Sequence, residues 1–229
     1  DVKVGKDESE NEVIRKHMLP SPFSFTPKDH LELGEALDII DVKRAAKVSG
    51  SRFGYLKHEA PLLEFALVQF ALSFLTNREN IALVIKEEKL SLSDTPFIPV
   101  VPPVLVGSSA MRAMGYVERG GEEIYYIEKD DLYLVGTAEQ AMGPMHMNEV
   151  FKEESLPHRH VAFSSCFRRE AGSYGKDTKG ILRVHQFDKV EMFSVALPET
   201  SREEHRLLLA LQERLFQALR IPYRVLNIC

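Results

Sequence analysis

Apolar positions recur with a helical period in the first hundred residues. KDHLELGEALDII, from Lys28, predicts a short helix, and DVKRAAKVSG predicts a second one with Asp41 as its N-cap and Gly50 as its stop. A longer apolar helix begins near Pro61, a residue that suits the first turn. Residues 79–93 fit either an extension of that helix or a separate one.

The strongest helical pattern lies at 202–219. Ser201 and Glu204 have the spacing of a capping box, in which each side chain bonds the backbone of the other residue. An apolar stripe runs along one face of this predicted helix and comprises Leu207, Leu208, Leu211, Leu215 and Leu219.

Segments rich in β-branched and aromatic residues lie between these helices. In FIPVVPPVLV, Pro102 and Pro103 lack the N–H of a central strand, which favours an edge strand or an interface. Residues 125–127 and 132–135 predict a hairpin around a KDD turn.

A second, longer hairpin is predicted from 161–169 and 182–193. Consecutive strands without βαβ alternation indicate a mostly antiparallel sheet with helices packed on it. The fold class is therefore α+β.

Composition excludes several classes of protein. The chain has 229 residues, 44% of them hydrophobic, and a net charge of −5, which argues against non-specific coating of nucleic acid. No apolar run is long enough to span a membrane, and no signal peptide is evident. Two cysteines cannot form a disulfide framework, so we expect a reducing compartment.

Both ends of the sequence have a distinct character. The charged start, DVKVGKDESENEVIRK, has no apolar period and predicts a linker or flap. The end, IPYRVLNIC, predicts a strand after a proline. Because a domain that stops inside a strand leaves an unpaired edge, we expect that more chain follows in the natural protein.

The candidate chemistry lies in the long hairpin, which is basic although the chain is acidic. Seven Lys or Arg face three Asp or Glu between residues 159 and 189. If Arg168 and Arg183 lie on the two strands, pairing brings two phosphate-binding guanidinium groups together. Phe187 and Glu191 follow Arg183 at intervals of four, on the same side of a strand, and suit a nucleobase and an amino group.

A simpler interpretation remains open from the residues alone. Phe187 also suits a hydrophobic core, and exposed loop lysines are usually solvated. The stretch is not a P-loop, because G-x-x-x-x-G-K-[ST] is absent.

FRREAGSYGKDTKGILRVHQFDKVEMF resembles motif 2 of the class II aminoacyl-tRNA synthetases, and within that class the seryl-tRNA synthetase family. VGKDESEN, KDHLELGEALDIIDVKRAAKVSGSRFGYLK, VVPPVLV and LVGTAEQ are similar to stretches of the same family in the same order. The resemblance covers nearly the whole chain.

This resemblance implies a six-stranded antiparallel β-sheet flanked by helices, and a homodimer formed through motif 1 with Pro103 at the interface. It implies a cytoplasmic, AMP-forming serine–tRNA ligase with no membrane association. Serine and ATP form seryl-adenylate, and the seryl group passes to the 3′ end of tRNA-Ser. ATP is accompanied by Mg²⁺, whose protein ligands belong mostly to motif 3, so no metal ligand is assigned in this sequence.

The resemblance also assigns residues. Arg168 and Arg183 are the catalytic arginines, on the α- and γ-phosphates, and Arg168 also contacts the serine carboxylate. Glu170, Val184 and Phe187 complete the ATP site, with Phe187 stacked on adenine. The other residues of the serine site are Thr137, Glu139 and Glu191. The loop that meets the tRNA acceptor end contains Ser173, Lys176 and Lys179.

Departures from the family leave other functions open. Residues 1–27 are expected to be a linker after a missing coiled-coil arm, and 28–229 a catalytic core with motifs 1 and 2 but truncated before motif 3. QAMGP follows TAE where many family members have VP, which weakens the assignment of that loop. The alternatives are a non-catalytic paralogue used for dimerisation or RNA binding, and a ligase that loads the amino acid on another acceptor.

Overall fold

The structure is a computed structural model of the chain and describes residues 4–20, 22–117, 122–171 and 179–229. Within them lie seven α-helices, with bounds α1 His30–Ala36, α2 Val42–Ser49, α3 Glu59–Leu75, α4 Arg78–Glu87, α5 Ser108–Ala113, α6 Glu139–Met142 and α7 Ser201–Ala218. The described strands are β1 Glu12–His17, β2 Ile40–Asp41, β3 Tyr55–Leu56, β4 Ile98–Val100, β5 Leu105–Gly107, β6 Tyr126–Ile127, β7 Leu132–Leu134, β8 His158–Phe167, β9 Gln186–Val195 and β10 Tyr223–Asn227.

The helix signals in the first hundred residues are confirmed. Asp41 caps α2 by accepting a hydrogen bond from the backbone N–H of Arg44, and Gly50 ends the helix at a φ of +91°. Pro61 lies in the first turn of α3. A separate helix, α4, follows α3 after Asn77, which accepts bonds from two backbone N–H groups as its N-cap.

The strands form four small sheets in the described part of the chain. Their orders are β1-β10, β2-β3, β4-β8-β9 and β5-β7-β6. Every pairing is antiparallel except that of β4 with β8, so the mixed α+β class is confirmed. Each sheet has two or three strands. The resemblance implies one six-stranded sheet, and the described residues do not form a single sheet of that size.

The predicted edge at the proline-rich segment is also found. β4 is the outer strand beside β8, and Pro102 and Pro103 lie in the connection between β4 and β5. Among the described residues no single helix is long and apolar enough to cross a membrane. Taken together, α3 and α4 have the length and composition of a membrane span, but the two helices are bent by 69° relative to each other.

The long hairpin is confirmed, but its strands are shifted from the predicted ones. β8 and β9 pair over ten residues each, from His158 with Val195 to Phe167 with Gln186. Arg168 and Arg183 therefore lie just beyond the strand ends, and their predicted position on the strands is wrong. Beyond the ladder, the backbone N–H of His185 donates to the carbonyl of Arg52, and that of Arg169 donates to the carbonyl of Glu123.

The N-terminal segment contains more structure than its sequence predicts. β1 pairs antiparallel with β10, with Glu12 opposite Asn227 and His17 opposite Tyr223. The final strand was expected to leave an unpaired edge, and β1 covers one side of it. A bulge between Val13 and Arg15 interrupts the pairing, which accounts for the weak alternation of β1.

The predicted capping box of α7 is wrong. Thr200 is the N-cap and makes no side-chain capping bond. The hydroxyl of Ser201 donates instead to the carbonyl of Pro198. Glu204 is unavailable because its buried carboxylate accepts two hydrogen bonds from Arg159 on β8.

The main core lies between α4, α7 and the β8–β9 hairpin. Ten buried side chains form it, among them Leu75, Ile81, Val161, Leu207 and Leu211, each at most 1% exposed. This packing covers one face of β8 and β9 and restrains the hairpin. The opposite face is therefore available for a functional site.

Candidate active site

The end of the long hairpin forms a cleft. A cavity of about 320 Å³ is lined by Ile181, Leu182 and all five residues predicted to bind ATP, namely Arg168, Glu170, Arg183, Val184 and Phe187. The cavity is compatible with a polar phosphate chain at the two guanidinium groups and a flat base against the ring.

Arg168 is held in place by contacts with three residues, Gly136, Phe187 and His185. Its Nε donates to the carbonyl of Gly136 at 3.0 Å. Its guanidinium lies 5.2 Å from the centre of the Phe187 ring, within the range of a cation–π contact. Its backbone N–H donates to the carbonyl of His185, whose ring Nδ1 lies 2.9 Å from the Arg168 carbonyl oxygen. His185 therefore supports the turn rather than the ligand face.

Arg183 and Glu170 form an ion pair across the mouth of the cavity. Arg183 Nη1 donates to Glu170 Oε2 at 2.8 Å, and the Arg183 side chain is 37% exposed. The carbonyl of Glu170 accepts a bond from Arg52 at 3.2 Å. A residue with positive φ at such a position indicates a conformation that its surroundings impose, and here it brings the carboxylate to Arg183.

A second group of polar residues surrounds Glu191, midway along β9. The Thr137 hydroxyl donates to Glu191 Oε2, and the backbone N–H of Glu139 donates to the same oxygen at 3.2 Å. The structure thus brings together Thr137, Glu139 and Glu191, three of the four residues predicted for an amino-acid site, although 54 residues separate the first from the last.

Local structure explains how the loop at Thr137 is held. Gln140 is buried, and its side-chain oxygen accepts a bond from the backbone N–H of Gly136 at 2.7 Å. The loop QAMGP, which departs from the family pattern, forms α6 and the turn after it, and Met142 is buried there. The departure therefore leaves the Thr137–Glu191 contact in place.

Two polar residues of this region were missed by sequence reasoning. Lys189 Nζ donates to Thr137 Oγ1 at 2.8 Å and to Glu191 Oε1 at 3.1 Å. Its signal was available, since Lys189 lies at the alternate position between Phe187 and Glu191. Tyr116 had no such signal. Burial, and then its hydrogen bond with Glu139, raise the pKa of Tyr116 to about 12, so the phenol stays protonated at neutral pH.

The structure describes one of the three residues predicted to meet the tRNA acceptor end. Ser173 and Lys176 lie outside the described residues. Lys179 is described and forms an ion pair with Asp29, the N-cap of α1.

Exposed apolar residues lie on α3 and next to Pro103, the residue predicted at the dimer interface. Leu62, Leu63 and Phe65 on α3 are 68%, 63% and 59% exposed. Val101 is 81% exposed, and Pro103 beside it is exposed as well. Large exposed apolar side chains that follow one another closely, such as Leu62, Leu63 and Phe65, are typical of an interaction surface.

The described residues contain no group of three or more His, Cys, Asp or Glu side chains that could hold a metal ion. They therefore offer no ready-made set of protein ligands for Mg²⁺.

Comparison with known proteins places this site in a family. Residues 124–229 match the family model described as the tRNA synthetase class II core domain (G, H, P, S and T). A serine–tRNA ligase of Acidothermus cellulolyticus is 50% identical over 216 residues, which are 94% of this chain and 47% of that protein.

Solved structures agree. Seryl-tRNA synthetase from Pyrococcus horikoshii, solved in complex with ATP, has a TM-score of 0.86 and 41% identity, covering 100% of this chain and 52% of that one. Cytoplasmic serine–tRNA ligase from Naegleria fowleri, in complex with AMP, has a TM-score of 0.86 and 29% identity, covering 99% and 51%.

The fold and the motif-2 hairpin define a class II aminoacyl-tRNA synthetase domain. Within that class, the chain belongs to the seryl-tRNA synthetase (serine–tRNA ligase) family. It spans about half the length of the relatives it matches.

Proposed function

We propose that this chain carries the ATP- and serine-binding half of a serine–tRNA ligase. The observation that carries the proposal is the arrangement along β9, with the five predicted ATP residues around one cavity and Glu191 with its partners beside it. In the first step, a serine carboxylate oxygen attacks the α-phosphate of ATP, and pyrophosphate leaves. In the second, the terminal ribose hydroxyl of tRNA-Ser takes the seryl group, and AMP leaves.

The charges in the cleft suit the first step. Arg168 contacts the α-phosphate and the serine carboxylate, and Arg183 binds the γ-phosphate after exchanging Glu170 for the ligand. Arginine binds phosphate oxygens two at a time, so it both positions and neutralises them. Catalysis then consists of holding two anions in line and stabilising the charge that develops, with no covalent nucleophile.

The base and the amino acid occupy the two ends of the same face. Phe187 stacks on adenine, with Val184 and Glu170 beside it. Glu191 accepts the serine ammonium together with Thr137, and Glu139 lies next to them. The carboxylate of Glu191 accepts hydrogen bonds from two other residues, which fixes its position for a cationic ligand.

The remaining partners belong to the whole enzyme. Lys179 acts with Ser173 and Lys176 at the tRNA acceptor end, and the exposed apolar residues of α3 with Pro103 join two copies into a homodimer. Mg²⁺ accompanies ATP, and the described residues contain no cluster of side chains that could hold it. Charging of tRNA takes place in the cytoplasm. Because the chain spans about half of its relatives, we expect weak aminoacylation from this chain alone.

A thermal-shift experiment tests the proposal. Non-hydrolysable mimics of seryl-, threonyl- and prolyl-adenylate are compared at a hundredfold excess over Kd, where specific binding adds about 2.7 kcal/mol to the free energy of unfolding. A shift with the seryl mimic alone is expected. No shift with any mimic would instead favour a non-catalytic paralogue. A seryl-specific shift without charging of tRNA-Ser by the full-length enzyme would favour a different acceptor.

A further inference from the structure

Lys189 lies at the centre of the proposed ligand face. Side chains at alternate positions of a strand share one side, so Phe187, Lys189 and Glu191 form a row along β9. The proposed base site is at one end of this row and the proposed ammonium site at the other. No role has so far been given to the lysine between them.

The ammonium of Lys189 takes part in a closed set of hydrogen bonds. It donates to Thr137 Oγ1 at 2.8 Å and to Glu191 Oε1 at 3.1 Å, while the Thr137 hydroxyl donates to Glu191 Oε2. The Lys189 and Glu191 side chains are 32% and 18% exposed, so the pair is partly shielded from solvent.

These two oxygens are the acceptors assigned above to the ammonium of serine. A primary ammonium has three donors and no acceptor, and Lys189 and an amino acid present the same group. Two ammonium groups cannot share this pair of acceptors without like-charge repulsion at close range. The free site is therefore already filled by a chemical copy of the ligand's amino group.

We propose that Lys189 is an internal substitute for the substrate ammonium, which holds Glu191 and Thr137 in place and is displaced when the amino acid binds. The inference rests on the proposed function and adds a selective step to it. Only a ligand that itself supplies a cation can displace Lys189 without leaving the half-buried carboxylate of Glu191 unpaired, which is costly.

The proposal has a measurable consequence for affinity. In the free protein most copies have the ammonium site occupied by Lys189, so a ligand binds with its intrinsic affinity reduced by the fraction of copies in which the site is open. Removal of the lysine should tighten binding of ligands that carry an ammonium. A lysine that contacted the anionic part of the ligand would have the opposite effect.

The experiment compares two ligands and three variants by titration calorimetry. One ligand is a non-hydrolysable seryl-adenylate mimic, and the other is the same mimic without its amino group. Their affinity ratio measures what the ammonium contributes. Lys189→Met should raise this ratio about tenfold, or about 1.4 kcal/mol, by tightening the amino ligand alone. Lys189→Arg should keep the wild-type ratio, and Lys86→Met, on exposed α4 surface, should change nothing.

Each other result has a definite meaning. Equal weakening of both ligands in Lys189→Met would overturn the proposal and place the lysine on the phosphate or carboxylate. An unchanged ratio with a folded protein would overturn it as well. If wild-type protein binds neither mimic, the proposed function fails, and this inference fails with it. Should Lys189→Met unfold, Lys189→Gln replaces it, with the same criteria applied to the ratio.

Discussion

Arg159 and Glu204 form a fully buried ion pair that joins the long hairpin to α7. Arg159 Nε lies 3.0 Å from Glu204 Oε2, and Nη2 lies 2.5 Å from Oε1. The two side chains are 0% and 4% exposed. The remaining guanidinium nitrogen donates to the carbonyls of Ser93 and Thr95, so the charge is satisfied on every side.

Glu204→Gln is expected to destabilise the fold strongly. It leaves the Arg159 charge buried without its counter-charge, a change that typically costs about 3–5 kcal/mol. Urea unfolding followed by circular dichroism measures the loss. Arg78→Met, which breaks the exposed pair with Asp94, is the control and should barely move the midpoint. Equal losses in both variants would contradict the argument.

Arg183→Met should weaken nucleotide binding while the fold remains intact. The side chain is 37% exposed and its ion pair with Glu170 lies at the mouth of the cavity, so its loss costs little stability. Loss of a bidentate phosphate contact should lower affinity for a non-hydrolysable ATP analogue at least about tenfold, or about 1.4 kcal/mol. Arg214→Met, which breaks a pair with Glu87, serves as the matched control. Wild-type affinity in Arg183→Met would remove the residue from the site.

Leu63→Glu on α3 should convert a dimer into monomers. The side chain is 63% exposed, so a charge there costs the single chain little, but it would be buried without a partner in a dimer. Sedimentation velocity over a range of concentrations reports the mass. Val48→Glu, at another exposed apolar position, should leave the assembly unchanged. A wild-type chain that is monomeric throughout would argue against this interface.

Stability should fall as the pH is lowered below about 6.5. Burial, and then the neighbouring His146 and His158, lower the pKa of His160 below its ordinary value. At low pH, His160 therefore binds a proton more readily in the unfolded chain than in the folded chain. The free energy of unfolding falls once the pH drops below the pKa of this histidine in the unfolded chain. For His160 alone, the free energy of unfolding changes with pH by at most the slope that corresponds to one bound proton.

Unfolding at a series of pH values between 7.5 and about 5 checks this sign. His160→Gln should flatten the profile. His205→Gln, at an exposed position of α7, should leave it as steep as in the wild type. A profile that is already flat in the wild type would contradict the burial argument.

Cys166 should be inert to thiol reagents in the folded protein. It is completely buried, and burial raises the pKa of its thiol, so little thiolate forms at pH 8. A chromogenic disulfide reagent should titrate Cys229 quickly and Cys166 only after denaturation. Cys229→Ser supplies the control, since it should abolish the rapid phase. Rapid labelling of Cys166 would show that β8 opens readily.

Much of the fold was predictable because its determinants are local. Asp41 and Gly50 mark the ends of α2 within ten residues of each other, and alternate positions placed Phe187 and Glu191 on one side of β9. The class of the molecule was predictable from a long motif rather than from physical pattern, since the residues alone left a core position for Phe187 open.

The errors share a physical cause, which is competition from residues far away in the chain. Glu204 has the spacing of a capping residue, but Arg159 claims its carboxylate. Arg183 was placed on a strand because the alternation continues through it, yet the ladder ends at Gln186, and the backbone N–H of His185 donates to the distant carbonyl of Arg52. Lys189 was given no role, although it lies between Phe187 and Glu191 on β9, because its contact with Thr137 joins residues 52 positions apart.

The pairing of β1 with β10 has a consequence for synthesis. His17 emerges from the ribosome about 200 residues before Tyr223, its partner across the sheet. At roughly 5–20 residues per second, the first strand waits about 10–40 s with its backbone groups unpaired. Contacts between distant residues also close slowly. This sheet is therefore a late step in the folding of these residues, and a nascent chain exposes the unpaired edge of β1 to aggregation until β10 has been synthesised.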